Sequence, residues 1–325
     1  MARPLKPTFS IEQEFIIRYN RHTYLSALEE IGPSAPSMLD DRLADTLRKH
    51  IVHELAASGH QVQLSSGTRS RSAWVIGSEP AIHHSSLFGL GDSDTSYCDV
   101  KIMSPVFRLS RKSLYEVKHI FRTLDKRFDV LTDRAFCGLN VHVGNKKGFD
   151  LHTIKKFCIL ITSFESHLSS LHPPERVVDN ERVERQTARF SELSPFQIAM
   201  KVQPCPDLQS LVGLFPDTYL AYSIHSLLDE TRPKAIEFRQ YQATTDVQEI
   251  GRWINLCCAL IRHSHDVVFE DLTQTVQDIA CEQRNSVIDV LLGLKLAKLA
   301  LHYQGRERHE YQRYDQAWLY DWKIP

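Results

Sequence analysis

Residues 136–148 read FCGLNVHVGNKKG, and within this stretch apolar and polar side chains alternate. An apolar residue, first Leu139 and then two valines, occupies every second position, and Asn140 and His142 lie between them. Because successive side chains of a β-strand point to opposite faces, this pattern predicts a strand with one apolar face. The amide and the imidazole then share the other face, about 6–7 Å apart. Such a pair raises the question of what that face binds.

The same alternation occurs in three other segments: SIEQEF (10–15), CDVKIMSP (98–105) and AIEFRQ (235–240). Each predicts a strand with an apolar side and a polar pair on the other side. If the four strands lie in one sheet, their polar sides form one floor. An antiparallel sheet also commonly exposes a polar face to water, but such a face more usually carries Thr, Lys and Ser. The predicted floor contains Glu12, Glu14, Asp99, Lys101, Asn140, His142, Glu237 and Arg239.

Several carboxylates beside a histidine and an asparagine are typical of a site for a hard cation such as Mg²⁺. Arg239 is two residues from Glu237, and its planar guanidinium suits a phosphate or a carboxylate. The residue types therefore favour a site that combines a divalent cation with an anionic ligand.

Segments whose apolar residues recur at helical spacing alternate along the chain with segments whose apolar residues recur at every second position. They do not follow a regular βαβ repeat. This favours an α+β fold, with a curved and mostly antiparallel sheet flanked by helices. We expect a single domain over residues 1–325, with a core at about 8–265 and a C-terminal helical segment and tail at 266–325. Residues 172–218 show no clear period, and TYLAYSIHSL (218–227) predicts a strand. Helices are predicted at 37–59, 110–128, 150–171, 244–265 and 285–305.

The composition excludes several classes of function. Of 325 residues, 42% are hydrophobic and 24% are charged, and the formal net charge is −1, so no overall field attracts nucleic acid or a membrane. The N-terminal residues show no apolar core of a secretory signal, and no segment has 18 consecutive apolar residues. Seven cysteines without a CxxC pair predict reduced thiols. We therefore expect a cytoplasmic enzyme of small molecules, with an oligomeric state that the sequence does not reveal.

The ordered motifs resemble those of the amidoligase family, in the glutamate–cysteine ligase and glutamine synthetase superfamily of carboxylate–amine ligases. Phe9-Ser10-Ile11-Glu12-Gln13-Glu14 resembles the opening FGxExE strand of that family. The later motifs follow in the family's order from about residue 8 to about residue 265. They are a Trp strand at 74–81, Lys101-Ile102-Met103-Ser104-Pro105, Cys137-Gly138-Leu139-Asn140-Val141-His142, Arg176 with Asn180, and Glu237-Phe238-Arg239 with Trp253.

The resemblance implies a curved antiparallel sheet around ATP and Mg²⁺. ATP would phosphorylate a carboxylate substrate, and an amine substrate would then attack the acyl phosphate to give an amide. By position, the implied metal ligands are Glu12, Glu14, Glu79, His142 and Glu237. The implied catalytic residues are Arg239, Lys101 and His142, and the implied nucleotide-binding residues are Arg239, Lys101, Asn140 and Arg176.

Three of these positions depart from the family pattern. Lys101 stands where the family has a metal-binding Glu, which changes the local charge by two units. Asn140 replaces a His, and Glu79 replaces an Asp. If Lys101 substitutes for one cation, its ammonium should lie among Glu12, Glu14 and Glu237.

The departures leave three alternatives open. The protein is an ATP-dependent ligase in which Lys101 takes the place of one metal ion. Alternatively, it is an ATP-independent enzyme on the same scaffold that condenses or cyclises an activated amino-acid derivative. The third alternative is a non-catalytic relative.

Overall fold

A computed structural model provides the structure of the chain. It describes residues 5–25, 36–66, 72–79, 82, 94–133, 136–177, 183–187, 190, 192–216, 219–231, 233–281 and 286–304. At residues 36–40 and 279–281 it describes the backbone but not the side chains. The chain divides into two compact units. We call Lys6–Lys146 with Glu237–Asn255 the sheet unit, and Met1–Leu5, Lys147–Ile236 and Leu256–Pro325 the helical unit.

The sheet unit is built on one long strand, β1 (Pro7–Asn20). The other strands are β2 (Val62–Leu64), β3 (Trp74–Gly77), β4 (Thr95–Met103), β5 (Phe107–Arg108), β6 (Asp129–Leu131), β7 (Gly138–Asn145) and β9 (Ala235–Gln242). Strand β1 pairs antiparallel with β4 on one side and with β7 on the other, and also pairs antiparallel with β5 and β6. The order across the sheet is β2-β3-β4-β1-β7-β9, in which β2 and β3 form a parallel pair. The predicted mostly antiparallel sheet is confirmed.

The register of the central strands gives the sheet one apolar and one polar face. Gln13 pairs with Ile102 on β4 and with Leu139 on β7, and all three side chains are buried. One residue further along, Glu14 pairs with Lys101. Partners directly opposite each other share a face, so the odd-numbered residues of β1 face the core and the even-numbered ones face the polar side.

Two helices of the sheet unit pack against the apolar face of the sheet. Helix α2 (Pro36–Ala57) contacts β2, β3, β4 and helix α3 (Arg111–Arg127), and α1 (His22–Leu25) contacts β1 and α2. Trp74 of β3 packs edge-on against Phe121 of α3, which fixes that helix over the same side of the sheet. Apolar residues spaced three and four apart on both helices are buried: Leu43, Leu47, Ile51, Leu55, Val117, Ile120, Phe121 and Leu124.

The helical unit contains most of the remaining elements. Its elements are α4 (Leu151–Ser163), α5 (Glu165–Ser169), α6 (Pro195–Val202), α7 (Leu208–Leu214), β8 (Tyr222–Ser223), α9 (Phe269–Cys281) and α10 (Val287–Gly293). Helix α8 (Val247–Asp266) begins in the sheet unit and ends in the helical unit. Helix α4 contacts α5, α6 and α9, and Lys156 of α4 donates to the carbonyls of His265 and Val267 at the end of α8.

Several boundaries differ from the prediction. The helix predicted at 150–171 stops at Phe164, whose φ of −117° and ψ of 16° end α4 before α5 begins. The last predicted helix is interrupted after Gly293, where Lys295 has a φ of 60°, and resumes over 297–304. Within the described residues 219–227, the predicted strand is limited to Tyr222–Ser223 and an isolated bridge at Leu220. A 3₁₀ helix follows at His225–Leu227. In the described part of the chain, no helix is both long and apolar enough to span a bilayer.

Ser104 links the end of β4 to β1. Its hydroxyl accepts a hydrogen bond from the Ile11 N–H at 2.8 Å and donates to the Pro105 carbonyl at 2.8 Å. Ser104→Ala would leave both backbone groups without these partners in a buried position. We expect the free energy of unfolding to fall by about 1–3 kcal/mol in urea denaturation. Ser166→Ala, which removes an exposed hydroxyl, should change it by less than about 0.5 kcal/mol, and equal effects of the two substitutions would contradict the assignment.

Candidate functional site

Two carboxylates of β1 form the centre of the polar face. Glu12 lies between Asn140 on β7 and Met103 on β4, and Glu14 lies opposite Lys101. Both glutamates are buried, with 9% and 5% of their surface exposed. The Glu14 carboxylate accepts a hydrogen bond from the Gly138 N–H at 3.3 Å, so the first residue of β7 fixes its orientation.

Lys101 lies within the carboxylate cluster. Its ammonium is 2.9 Å from a carboxylate oxygen of Glu12 and in direct contact with the carboxylate of Glu79, which follows β3. Only 21% of the Lys101 side chain is exposed. The ammonium thus contacts Glu12 and Glu79, whereas the sequence prediction named Glu12, Glu14 and Glu237.

The charge state of Lys101 follows from these neighbours. Burial by itself lowers the pKa of a lysine, since it penalises the charged form. The attraction of Glu12 and the hydrogen bonds to Glu79 and Glu12 outweigh burial, so the pKa of Lys101 is raised above its ordinary value of 10.5. The lysine is therefore a permanent cation at physiological pH.

His142 connects the β1 carboxylates with strand β9. Its Nε2 atom is 3.9 Å from a Glu12 oxygen and 3.7 Å from a Glu237 oxygen. The other oxygen of Glu237 accepts a hydrogen bond from Arg239 at 3.0 Å. Pairs predicted on three separate strands therefore meet through His142, and Arg239 is held beside them.

Asp99 acts on this cluster by positioning Glu79. Its carboxylate accepts a hydrogen bond from the Glu79 N–H and another from Arg48 of α2 at 3.1 Å. Strand β3 ends at Gly77, opposite Lys101, and this leaves the edge of β4 at Asp99 open to Arg48. A Cβ atom at Gly77 would lie 3.2 Å from the Cβ of Ser65, so a larger residue there would crowd Ser65 by a few tenths of an ångström.

The sequence model of one family, described as "Putative amidoligase enzyme", matches residues 41–261 of the chain. This match covers more than half of the 325 residues. The chain belongs to the amidoligase family. No curated protein matches it.

The family match includes most of the cluster. Glu79, Lys101, His142 and Glu237 lie within the matched residues, whereas the carboxylates of β1 precede residue 41. The structure therefore adds Glu12 and Glu14 to the matched part of the site, through the pairing of β1 with β4 and β7.

The donor atoms of this family member suit a divalent cation. One carboxylate oxygen from each of Glu12, Glu14 and Glu79 lies within 4.8 Å of the others. Carboxylate oxygens are the preferred ligands of Mg²⁺, and His142 adds a nitrogen at the edge of the group. Lys101 occupies the space between Glu12 and Glu79, so these two carboxylates already have a cation as a partner.

Other predicted residues lie elsewhere or outside the described residues. Arg176 is buried on a 3₁₀ helix of the helical unit, and its predicted role toward a nucleotide stays a prediction. Asn180, Ala81 and the aromatic tail lie outside the described residues.

Arg48 is the positioning residue that sequence reasoning missed. It is only 9% exposed and follows Leu47 in the buried stripe of α2. The sequence could have indicated Arg48, because this arginine lies directly beside the apolar stripe of a predicted helix. A buried arginine at such a position needs a buried hydrogen-bond acceptor.

Lys101→Met would remove the cation that lies between Glu12 and Glu79. In the metal-free protein we expect the free energy of unfolding at neutral pH to fall by roughly 1–3 kcal/mol, because two poorly hydrated carboxylates lose their partner. A lysine with a raised pKa stabilises below its unfolded-state pKa, and this contribution is lost as the pH rises through the folded-state pKa. The difference in the free energy of unfolding between wild type and Lys101→Met should therefore be largest at neutral pH and vanish in strong alkali.

Urea denaturation across this pH range measures the Lys101 effect. Lys112→Met, on the exposed first turn of α3, is the control, since this lysine forms no ion pair with any of the described residues. An equal small change in both variants would contradict the role given to Lys101.

Proposed function

We propose that this protein is an ATP-dependent ligase that joins a carboxylate and an amine into an amide. The observation that carries the proposal is the convergence of Glu12, His142, Glu237 and Arg239 on the polar face of one sheet. Membership of the amidoligase family supports amide-bond formation as the reaction class. We also propose that the sheet corresponds to the curved sheet of glutamine synthetase and glutamate–cysteine ligase.

Mg²⁺ would be held by carboxylates on the side of the cluster that Lys101 leaves open. Glu14, Glu237 and His142 would offer oxygen and nitrogen ligands there, and Glu12 and Glu79 would join them only by giving up their ion pairs with Lys101. Mg²⁺ bound at this face supplies positive charge beside phosphate oxygens.

The chain's own cations would bind and orient the anionic part of the nucleotide. Arg239 is held by Glu237 at 3.0 Å, so its guanidinium is oriented before any ligand arrives. Lys101 neutralises Glu12 and Glu79, and its remaining donor capacity suits a phosphate oxygen. Asn140, opposite Glu12, provides an amide group at the same face. Arg176 is our further candidate for the nucleotide.

The transfer requires charge stabilisation more than covalent participation by the protein. A phosphoryl group moving from ATP to the substrate carboxylate spreads negative charge over its oxygens, which fixed cations stabilise. The amine then displaces phosphate from the acyl phosphate, and the amide remains. Small-molecule acids and amines, amino acids among them, are the proposed substrates, and the cytoplasm is the proposed location. The six cysteines whose side chains are described are free and buried, which supports a reducing compartment.

Lys101 favours a second candidate function. A cation already held between Glu12 and Glu79 suits an enzyme that condenses or cyclises an activated amino-acid derivative without ATP. A non-catalytic relative would need no such arrangement of His142, Glu237 and Arg239. Nucleotide turnover separates the two enzymatic candidates.

Glu237→Gln should abolish ATP turnover, because it removes a ligand charge and weakens the hold on Arg239. The measurement is phosphate release with Mg²⁺ and ATP across a panel of amino acids as acid and amine substrates. Glu270→Gln, at an exposed position of α9, is the matched control and should retain wild-type turnover. Wild-type protein that neither binds nor hydrolyses ATP at millimolar concentration would reject the ligase and leave the ATP-independent enzyme.

Lys101→Glu should increase the number of Mg²⁺ ions that the protein binds. A fourth carboxylate beside Glu12, Glu14 and Glu79 destabilises the metal-free protein through like-charge repulsion, and a bound divalent cation relieves it. We therefore expect Mg²⁺ to raise the melting temperature of Lys101→Glu more than that of wild type. Calorimetric titration with Mg²⁺, with and without ATP, gives the stoichiometry directly. The same stoichiometry and the same thermal shift in both proteins would show that Lys101 does not take the place of a metal ion.

A further inference from the structure

A second charged feature of the sheet unit lies on helix α3, which packs against the apolar face of the sheet. His119, Arg122, Thr123, Lys126 and Arg127 are spaced three, four, seven and eight residues apart and so form one stripe of the helix. Together with Ser58, just beyond the end of α2, they line a groove of about 390 Å³. We call it the α3 groove. Its volume is within the range of sites for small molecules.

The α3 groove holds basic side chains that lack acidic partners. Arg127 is paired with Glu54 at 3.3 Å, but within the described ranges no carboxylate pairs with Arg122 or Lys126. These two are four residues apart on the helix, where like charges destabilise each other. An anion between them would relieve this repulsion.

His119 adds a polar ring to the α3 groove. Its Nδ1 atom is hydrogen-bonded to Nε2 of His60 at 2.6 Å. Burial, and then the neighbouring His119, lower the pKa of His60, although Glu116 acts in the opposite direction. The contact with His60 uses Nδ1 of His119, so Nε2 is the ring nitrogen that can face a ligand.

The hydroxyls that line the α3 groove are already used as donors. Ser58 donates to the Glu54 carbonyl at 2.9 Å, and Thr123 donates to the His119 carbonyl at 3.0 Å. The donors left for a ligand are therefore the three cationic side chains and the His119 ring. Such a set recognises a multiply charged oxyanion, because guanidinium groups bind phosphate oxygens with two parallel hydrogen bonds.

We propose that the α3 groove binds the phosphate groups of a soluble phosphorylated small molecule. The groove is separate from the carboxylate cluster, since α3 packs on the apolar face of the sheet and the cluster lies on the polar face. Its ligand thus binds independently of the ligase substrates.

Pyrophosphate is the probe, and calorimetric titration of the full chain measures its binding. We expect the double variant Arg122→Ala and Lys126→Ala to weaken pyrophosphate binding by at least roughly tenfold. The double variant Arg111→Ala and Lys112→Ala removes the same charge from the first turn of α3, outside the groove, and should bind as wild type does. If Arg239→Ala abolishes pyrophosphate binding and the Arg122→Ala and Lys126→Ala variant does not, the phosphate binds at the proposed active site and the proposal is overturned. Circular dichroism checks that each variant is folded, and Lys126→Gln alone should give a smaller loss.

The His119 ring gives a second readout. Pyrophosphate should shift its imidazole resonances in wild type and leave them unchanged in the Arg122→Ala and Lys126→Ala double variant. Equal weakening by the two double variants would mean non-specific charge attraction and would overturn the proposal. Binding to vesicles of anionic lipid without binding to pyrophosphate would likewise overturn it, in favour of a membrane surface.

Discussion

The polar face of the sheet depends on the neutralisation of like charges at β1. Carboxylate oxygens of Glu12, Glu14 and Glu79 lie within 4.8 Å of one another. Two unit charges 4–5 Å apart repel by about 3–4 kcal/mol at an effective dielectric constant near 20, which is a large part of a typical folding free energy. The attraction of one ammonium to two carboxylates in direct contact is of the same order. Lys101 therefore allows a fold without bound metal to keep these carboxylates together.

Apolar and polar residues alternate along β1, so one face of the sheet packs against helices and the other carries the carboxylates. Ile11 and Phe15 are buried on the helix-covered face, while Glu12 and Glu14 point to the other side. A one-residue slip of β1 would place both carboxylates in the core and expose the apolar residues. Burial of the apolar face thus fixes the register, and the register brings Glu14 opposite Lys101. The polar face is limited further along β1 by an apolar cluster around Ile16, Ile82 and Cys137, which places the charged groups in a less hydrated environment.

The central strands could be predicted from the sequence because their signal is local. A period of two identified both faces of β1, β4, β7 and β9, and with them which polar residues share a side. The contact of Lys101 with Glu12 was predicted, but its contact with Glu79 was not. Glu79 follows a strand whose place at the edge of β4 depends on pairing rather than on any local pattern. Arg48 was missed for the same reason, as its partner Asp99 is 51 residues away.

In the helical unit, several elements could not be predicted from a local pattern. Helices α6 and α7 are short, and each begins at a capping residue, Ser194 or Asp207, within a segment that has no sustained apolar period. Such short helices are stabilised by tertiary contacts, as α6 is by α4 and α9. The spacing of apolar residues in one sequence therefore says little about where they form.

The position of Lys101 determines what a divalent cation meets on this face. At the Glu12 and Glu79 end, a cation must displace an ammonium whose raised pKa keeps it charged, so binding there costs the ion pairs that already exist. At the Glu237 end, His142 is 3.7 Å from the carboxylate, and Arg239 is its cationic neighbour. A cation that binds there leaves the pairs of Lys101 intact and brings its charge beside Arg239. The face thus carries a protein cation at each end before any ligand binds, Lys101 beside Glu12 and Glu79 and Arg239 beside Glu237.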